Sequence, residues 1–224
     1  MAGEVFVESQ LLQKLAEKKI TKETLCRTVE ANFMRIPELF RGVASQKAIV
    51  RYGCASVLVD LSANYPKELY PYMDRLIVLL DSKYRILIWN AIAAIANLCS
   101  VDKDKKFDAV FDKYYDLIND DYLVTVANVV FNSGRIALAK PYLTQRITAQ
   151  LLKVEGLTTT PHLTEECKKV VAEKAVNSFD LFFKQITSDD KEEVLSFVKR
   201  QVNSSRNSLR TKAELFLKRW TKAR

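Results

Sequence analysis

The chain has 224 residues, 48% hydrophobic and 28% charged, a globular balance with enough length to bury a sizeable interior. Five glycines and five prolines are too few for the turn-dense all-β classes, where each short strand ends in a tight reversal, so helices are expected. The net charge is +8, and residues 191–224 hold ten Lys/Arg against three Glu, so +7 of it lies in this tail.

No apolar run reaches the ~18 residues of a membrane span. The opening "MAGEVFVESQ" carries acidic residues where a secretory signal would carry basic ones. A cytoplasmic, reducing location without membrane insertion is expected. Cys26, Cys54, Cys99 and Cys167 stand singly in apolar helical contexts and read as buried free thiols. With His162 as the one histidine, no His-based metal site can be assembled, and neither metal nor cofactor is expected. Cys167 lies five residues beyond His162, but no orienting group or oxyanion donor accompanies the pair. P-loop, G-x-G-x-x-G and nucleophile-elbow patterns are absent, so no enzyme is expected.

In chain order, "LQKLAEKKI" from Leu12 is a first helical stripe and "TKETLCRTVEANF" a helix after it. "VRYGCASVLVDL" then places Val50, Cys54, Val57 and Leu58 on one side of a helix. "PKELYPYMDRLIVLL" is a connecting helix, and "IWNAIAAIANL" repeats the stripe with Ile88, Ile92, Ile95 and Ala96, 38 residues on. "DKKFDAVFDKYYDLI" precedes "VANVVFNSGRI", which starts at Val126 after another 38 residues, and "KPYLTQRITAQLL" follows. The next stripe, "VAEKAVNSFDLF" from Val171, comes 45 residues after Val126, the excess falling in the loop-like "KVEGLTTTPHLTEE". "DKEEVLSFVKRQV" and then "LRTKAELFLKRW" from Leu209 restore the 38-residue step. Pro66, Pro71 and Pro141 sit at or near helix starts, and Asp and Thr supply caps.

Paired helices at this period resemble the HEAT-repeat family and its armadillo relatives. The second-helix pattern apolar-Arg-x-x-small-x-x-x-apolar is matched by "VRYGCASVL" and "LRTKAELFL", with Arg51 and Arg210 at the family's arginine position. Trp89, Ala127 and Ala172 replace that arginine elsewhere. The resemblance implies an all-α solenoid, an α-α superhelix of about five stacked helix pairs. It spans 1–224 as a single domain, with a loop insertion near 153–165 and a basic C-terminal capping repeat at 191–224.

Residues two, six and nine positions after each stripe start form another helix face. Along the chain this row reads Lys14, Lys18, Thr21; Tyr52, Ser56, Val59; Asn90, Ala94, Asn97; Asn128, Asn132, Arg135; Glu173, Asn177, Asp180; and Thr211, Leu215, Lys218. The resemblance puts second helices on an inner, concave surface, where armadillo proteins use asparagines to hold extended peptides. Asn90, Asn97, Asn128, Asn132, Asn177 and Arg135 thus become a candidate binding row, since a carboxamide both donates and accepts. The competing reading is that these amides bond to neighbouring helices or water and tune helix spacing without any ligand. Trp89 is either a stacking anchor beside the row or packing between repeats, and Trp220 continues the core series Leu209, Ala213, Phe216, Leu217. The tyrosines of "DKYYDLINDDY" read as filling between first helices.

The function expected is a noncatalytic scaffold binding a protein or extended peptide. An alternative is nucleic-acid binding through Lys199, Arg200, Arg206, Arg210, Lys212, Lys218 and Arg219, although Lys218 and Lys222 also suit the solvated face of a cap. HEAT-like DNA alkylation repair glycosylases are a remoter possibility, because their Trp, Asp and Arg constellation cannot be placed here.

Overall fold

A computed structural model describes residues 9–221. Residues 1–8, on which the reading of the chain's start rests, and Lys222 lie outside the described part. Among the described residues the chain is all-α, with one isolated antiparallel bridge between Thr160 and Leu163. No described helix is long and apolar enough to cross a membrane. The helices group into two compact units divided after Val101.

The first unit contains α1 (Gln10–Ala16), α2 (Lys22–Glu30), α3 (Ile36–Val43), α4 (Ala48–Asn64), α5 (Pro66–Leu69), α6 (Met73–Val78) and α7 (Arg85–Leu98). Helix α1 is shorter than its pattern suggested. Lys18 adopts φ 58°, and the amides of Lys18 and Lys19 donate to the carbonyls of Leu15 and Lys14, a left-handed helix stop. Lys14, Lys18 and Thr21 therefore do not share a helix face, and Thr21 instead caps α2 by accepting from the Thr24 amide. Helix α3 is an additional element beyond those expected from the sequence. Its signal was present: Pro37 in the first turn, with Ile36, Leu39, Phe40 and Val43 on one side. Helices α3, α2 and α1 all pack on α4, and α4 packs on α7.

The second unit contains α8 (Lys106–Ala109), α9 (Phe111–Asp116), α10 (Leu123–Ala139), α11 (Thr144–Leu152), α12 (Glu165–Phe182), α13 (Ser188–Gln201) and α14 (Asn207–Thr221). Its main seams are α10 on α12 and α12 on α14. Two of the expected first helices are divided, whereas "DKEEVLSFVKRQV" stays whole within α13. "PKELYPYMDRLIVLL" becomes α5 and α6 on either side of a 3-10 turn at Tyr70–Tyr72, because Pro71 has no amide to continue the ladder. The long helices α4, α7 and α10 thus each follow two short helices, whereas α14 follows the single 14-residue helix α13.

Four of the long helices, α4, α7, α10 and α14, begin at equivalent turns. Side-chain oxygens of Ser45, Ser82, Asp120 and Ser204 accept the amides of Lys47, Tyr84, Tyr122 and Arg206, two residues on, at 2.8–3.3 Å. In all four the helix starts three residues after that oxygen. Arg51 and Arg210 reinforce the turns, each donating Nη1 to the carbonyl six residues back, Ser45 at 2.8 Å and Ser204 at 3.0 Å. Arg51 lies 3.8 Å from the centre of the Tyr84 ring and is buried, so the motif arginine serves the turn. Helices α4, α7 and α10 start 37 and 38 residues apart. The stripe starts Val50, Ile88, Val126, Val171 and Leu209 are all buried.

Adjacent long helices approach closely where side chains are small. A Cβ built on Gly134 would stand 3.0 Å from the Ser178 carbonyl oxygen, and Ser178 Oγ donates to the Val130 carbonyl at 2.6 Å. In the same unit, Lys140 Nζ is buried 2.9 Å from both Asp102 and Asp108, while Asp102 also accepts the Lys106 and Phe107 amides that open α8. Burial alone would lower the Lys140 pKa, but hydrogen bonds with Tyr142, Asp102 and Asp108 raise it above the ordinary lysine value.

Two outcomes follow for stability. Lys140→Met should cost about 3 kcal/mol in denaturant unfolding, since Asp102 is left buried without its cation. A raised folded pKa keeps this contribution complete below the unfolded value of about 10.4 and loses it only as pH rises through the folded one, so the deficit should match at about pH 6 and about pH 9. Gly134→Val should cost about 2 kcal/mol by forcing α10 from α12, read in the same way.

Candidate binding surface

In the first unit, Asn90 Nδ2 donates to the Ile86 carbonyl at 2.7 Å, one turn back on α7. Its carboxamide is half-buried, beside half-buried Trp89 and exposed Ile86. Asn97 is different. Its Nδ2 donates across helices to Ser62 Oγ at 2.8 Å, and Ser62 donates in turn to the Val59 carbonyl, so Asn97 ties α7 to α4.

In the second unit, Asn128 repeats the Asn90 arrangement, donating to the Val124 carbonyl at 2.8 Å. Asn132 is buried, donates to the Asn128 carbonyl and accepts from Arg135 Nη1 at 3.5 Å, so it is part of the helix interior rather than of a surface row. Asn177 on α12 is half-buried and makes no hydrogen bond to any described residue. The five carboxamides thus differ in kind: two bond within their own helix at the surface, one is buried, one crosslinks helices and one is unbonded.

Apolar neighbours of Asn177 were not singled out from sequence. Val124, Asn128, Phe131, Arg135 and Leu138 follow at alternating spacings of four and three along α10, hence on one side. Val170, Lys174, Asn177 and Leu181 do the same along α12. The two stripes adjoin: Lys174 Nζ lies 5.4 Å from the centre of the Phe131 ring, and Leu181 Cδ1 would be 2.8 Å from a Cβ on Gly134. Phe131, Leu138 and Leu181 are 49%, 47% and 57% exposed, large for apolar side chains clustered on one face. The sequence signal was their position off the buried stripe, Phe131 five and Leu181 ten residues past its starts.

Carboxylates on this side of α12 are already engaged. Glu173 accepts from Arg206 Nε at 3.1 Å and Ser208 Oγ at 2.6 Å, and Asp180 accepts from Arg219 and from the Trp220 indole at 2.7 Å. Burial alone would raise the Glu173 pKa, but the bonds from Ser208 and Arg206 bring it below the ordinary range. Trp220, read as core, is half-buried with its ring 5.1 Å from Phe183, because its indole nitrogen must reach Asp180. Leu217 is likewise half-buried.

The seven basic residues of the C-terminal repeat are not brought together as one cationic group. Arg200 forms a two-bond pair with Glu155 at 2.6 and 2.7 Å, Arg206 bridges Glu166 and Glu173, and Arg219 pairs with Asp180. Arg210 donates to Ser204 and to Asn207 Oδ1. Lys199, Lys212 and Lys218 are exposed. Cys54 and Cys99 are buried as expected, but Cys26 and Cys167 are half-buried. Desolvation pushes the Cys54 thiol up to about 12, and desolvation with Glu30 pushes Cys26 up to about 11, so neither is a ready nucleophile. His162 stacks on Tyr122 at 4.2 Å, and Cys167 Sγ takes a bond from the Thr164 hydroxyl.

Solved structures similar in fold cover nearly the whole chain. A designed armadillo repeat protein, YIII(Dq)4CqI, matches over 92% of this chain and 90% of its own with a TM-score of 0.62 and 17% identity. The fold is that of an armadillo-like α-solenoid. A second designed armadillo repeat protein, YIII(Dq.V1)4CPAF in complex with peptide (KR)4, gives a TM-score of 0.63 at 15% identity over the same shares. Computationally designed armadillo repeat proteins for modular peptide recognition give 0.60 at 16%, again over 92% of this chain and 90% of theirs. No protein-family model matches the sequence, and no curated protein matches it.

Stability measurements should separate the carboxamides. Asn97→Ala should lose about 1 kcal/mol by leaving Ser62 without its donor, whereas Asn177→Ala should change unfolding by less than about 0.5 kcal/mol. The Glu173 pair should respond to acid. With its folded pKa depressed, its contribution of about 1 kcal/mol is present above the unfolded value of about 4.3 and lost as pH falls through the folded one. The stability gap between the native chain and Glu173→Gln should therefore be full at about pH 6 and close in stronger acid.

Proposed function

We propose that the chain is a noncatalytic helical-repeat scaffold that holds an extended segment of a protein partner along the face shared by α10 and α12. The observation that carries this reading is the unbonded Asn177 carboxamide set among exposed Phe131, Leu138 and Leu181. An extended backbone needs both an acceptor and a donor, and a carboxamide provides the two on one side chain. Its alternate side chains, about 7 Å apart, then need apolar contacts, which the flanking leucines and phenylalanine offer. Asn128 adds a carbonyl oxygen, since one of its amide hydrogens is spent within α10.

Charge distinguishes this face from one suited to a basic peptide. Glu173 and Asp180 are occupied by Arg206 and Arg219, while Lys174 places positive charge beside Phe131. A neutral or acidic segment is favoured here, in contrast to the (KR)4 peptide of the designed relative in fold.

Affinity capture on the full chain, followed by anisotropy with a synthetic peptide from the captured partner, tests this. The variant Phe131→Ser/Asn177→Ala/Leu181→Ser should weaken the peptide at least about tenfold with its thermal midpoint little changed. Equal affinity in native and variant chains would reject the assignment to this face.

A further inference from the structure

The first unit carries a depression of ≈ 510 Å³ that the α10–α12 reading does not use. Its floor comes from α3, α6 and the start of α7, and includes Phe40, Val43, Val78 and Tyr84. Two cations, Arg75 and Lys83, stand at its rim, and no carboxylate lines it.

Both cations are held over aromatic rings and neither is in a salt bridge with a described carboxylate. Arg75 lies 5.5 Å from the Phe40 ring centre and 5.9 Å from that of Tyr72, two rings stacked 5.8 Å apart. Lys83 Nζ lies 5.2 Å from the Tyr84 ring, whose position is set by buried Arg51 at 3.8 Å. Each cation is thus positioned by ring contacts that leave its N–H groups open to an anion. Val78 is 67% exposed on the wall between them, an unusual setting for a β-branched side chain that has a cavity beside it.

The size and openness of this depression fit a surface anchor better than an enveloped small molecule, which requires most of its area to be covered. Anchors at protein interfaces are single large apolar side chains seated in a pocket and ringed by polar contacts. Two like charges with no acidic counterpart add a sign to that requirement.

We propose that this depression is a docking site for an acidic segment of a protein partner, seating one large apolar side chain against Phe40, Val43 and Val78 while a flanking carboxylate meets Arg75 and Lys83. The site lies within one unit and stands or falls independently of the α10–α12 face.

The test uses the full ¹⁵N-labelled chain titrated with a synthetic heptapeptide of glutamates around a central phenylalanine. Two control peptides replace the phenylalanine by serine or the glutamates by lysines. Saturable amide shifts at Phe40, Val78 and Tyr84 with the first peptide alone support the site. Arg75→Glu/Lys83→Glu should weaken that binding by about tenfold or more, and Ala44→Phe, which fills the depression from an exposed position, should abolish it. Both changes are at the surface, and an unchanged far-ultraviolet spectrum would verify the fold. The proposal is overturned if no saturable shift occurs up to millimolar peptide, if the charge-reversed chain binds equally well, or if the serine peptide binds as tightly as the phenylalanine one.

Discussion

The turn ahead of four of the long helices, α4, α7, α10 and α14, relies on one hydrogen bond, from a backbone amide to a Ser or Asp oxygen two residues earlier. At Ser45, Ser82, Asp120 and Ser204 this bond fixes where the helix begins, three residues later. Everything on the helix inherits that starting point, because a shift of one residue turns every side chain by about 100°. The buried stripe, the small residues at the seams and the outward faces are consequences of it. Arg51 and Arg210 add a second hold on the same turn by bonding its carbonyl. Where Trp89 or Ala127 stands at the position equivalent to Arg51, Ser82 and Asp120 still make the turn, so the arginine is reinforcement and the side-chain oxygen is the shared device.

With register set, the seams explain the distribution of polar groups. Gly134 and Ser178 let α10 and α12 approach, and the backbone carbonyl of Val130 is satisfied twice over, in its helix and by Ser178. Asn97 and Ser62 do comparable work between α4 and α7. The Lys140, Asp102 and Asp108 cluster holds the entry to α8 to the end of α10. Such buried polar contacts add little net stability against an apolar alternative, but they penalise any mispairing that leaves one member alone.

The two candidate surfaces use what these seams leave over. On α10 and α12, apolar side chains off the core stripe flank a carboxamide that bonds to no other described residue. In the first unit, aromatic rings that support the turn at Tyr84 and the end of α3 also orient two cations around a depression. In both places, rigid elements hold the side chains before any partner arrives, which limits the entropy lost on binding.

Periodicity was legible without coordinates. The 38-residue step, the stripe starts from Val50 to Leu209 and the loop after Lys153 follow from local pattern, because a helix must place apolar residues at spacings of three and four to bury them. Helix α3 and the end of α1 were harder, since a seven- or eight-residue helix carries few periods and Lys18 gives no glycine-like signal for its left-handed stop. What only tertiary structure decided was the fate of equivalent residues. Asn97, Asn132 and Asn177 look alike in the sequence, yet one crosslinks two helices, one is buried and one is unbonded. A carboxamide's role depends on which groups from other helices come within hydrogen-bond reach, and that distance is set by the seams. Charge behaves in the same way: composition determined that the last repeat is basic, but the placement of Glu155, Glu166, Glu173 and Asp180 opposite Arg200, Arg206 and Arg219 decided how much of that charge faces outward.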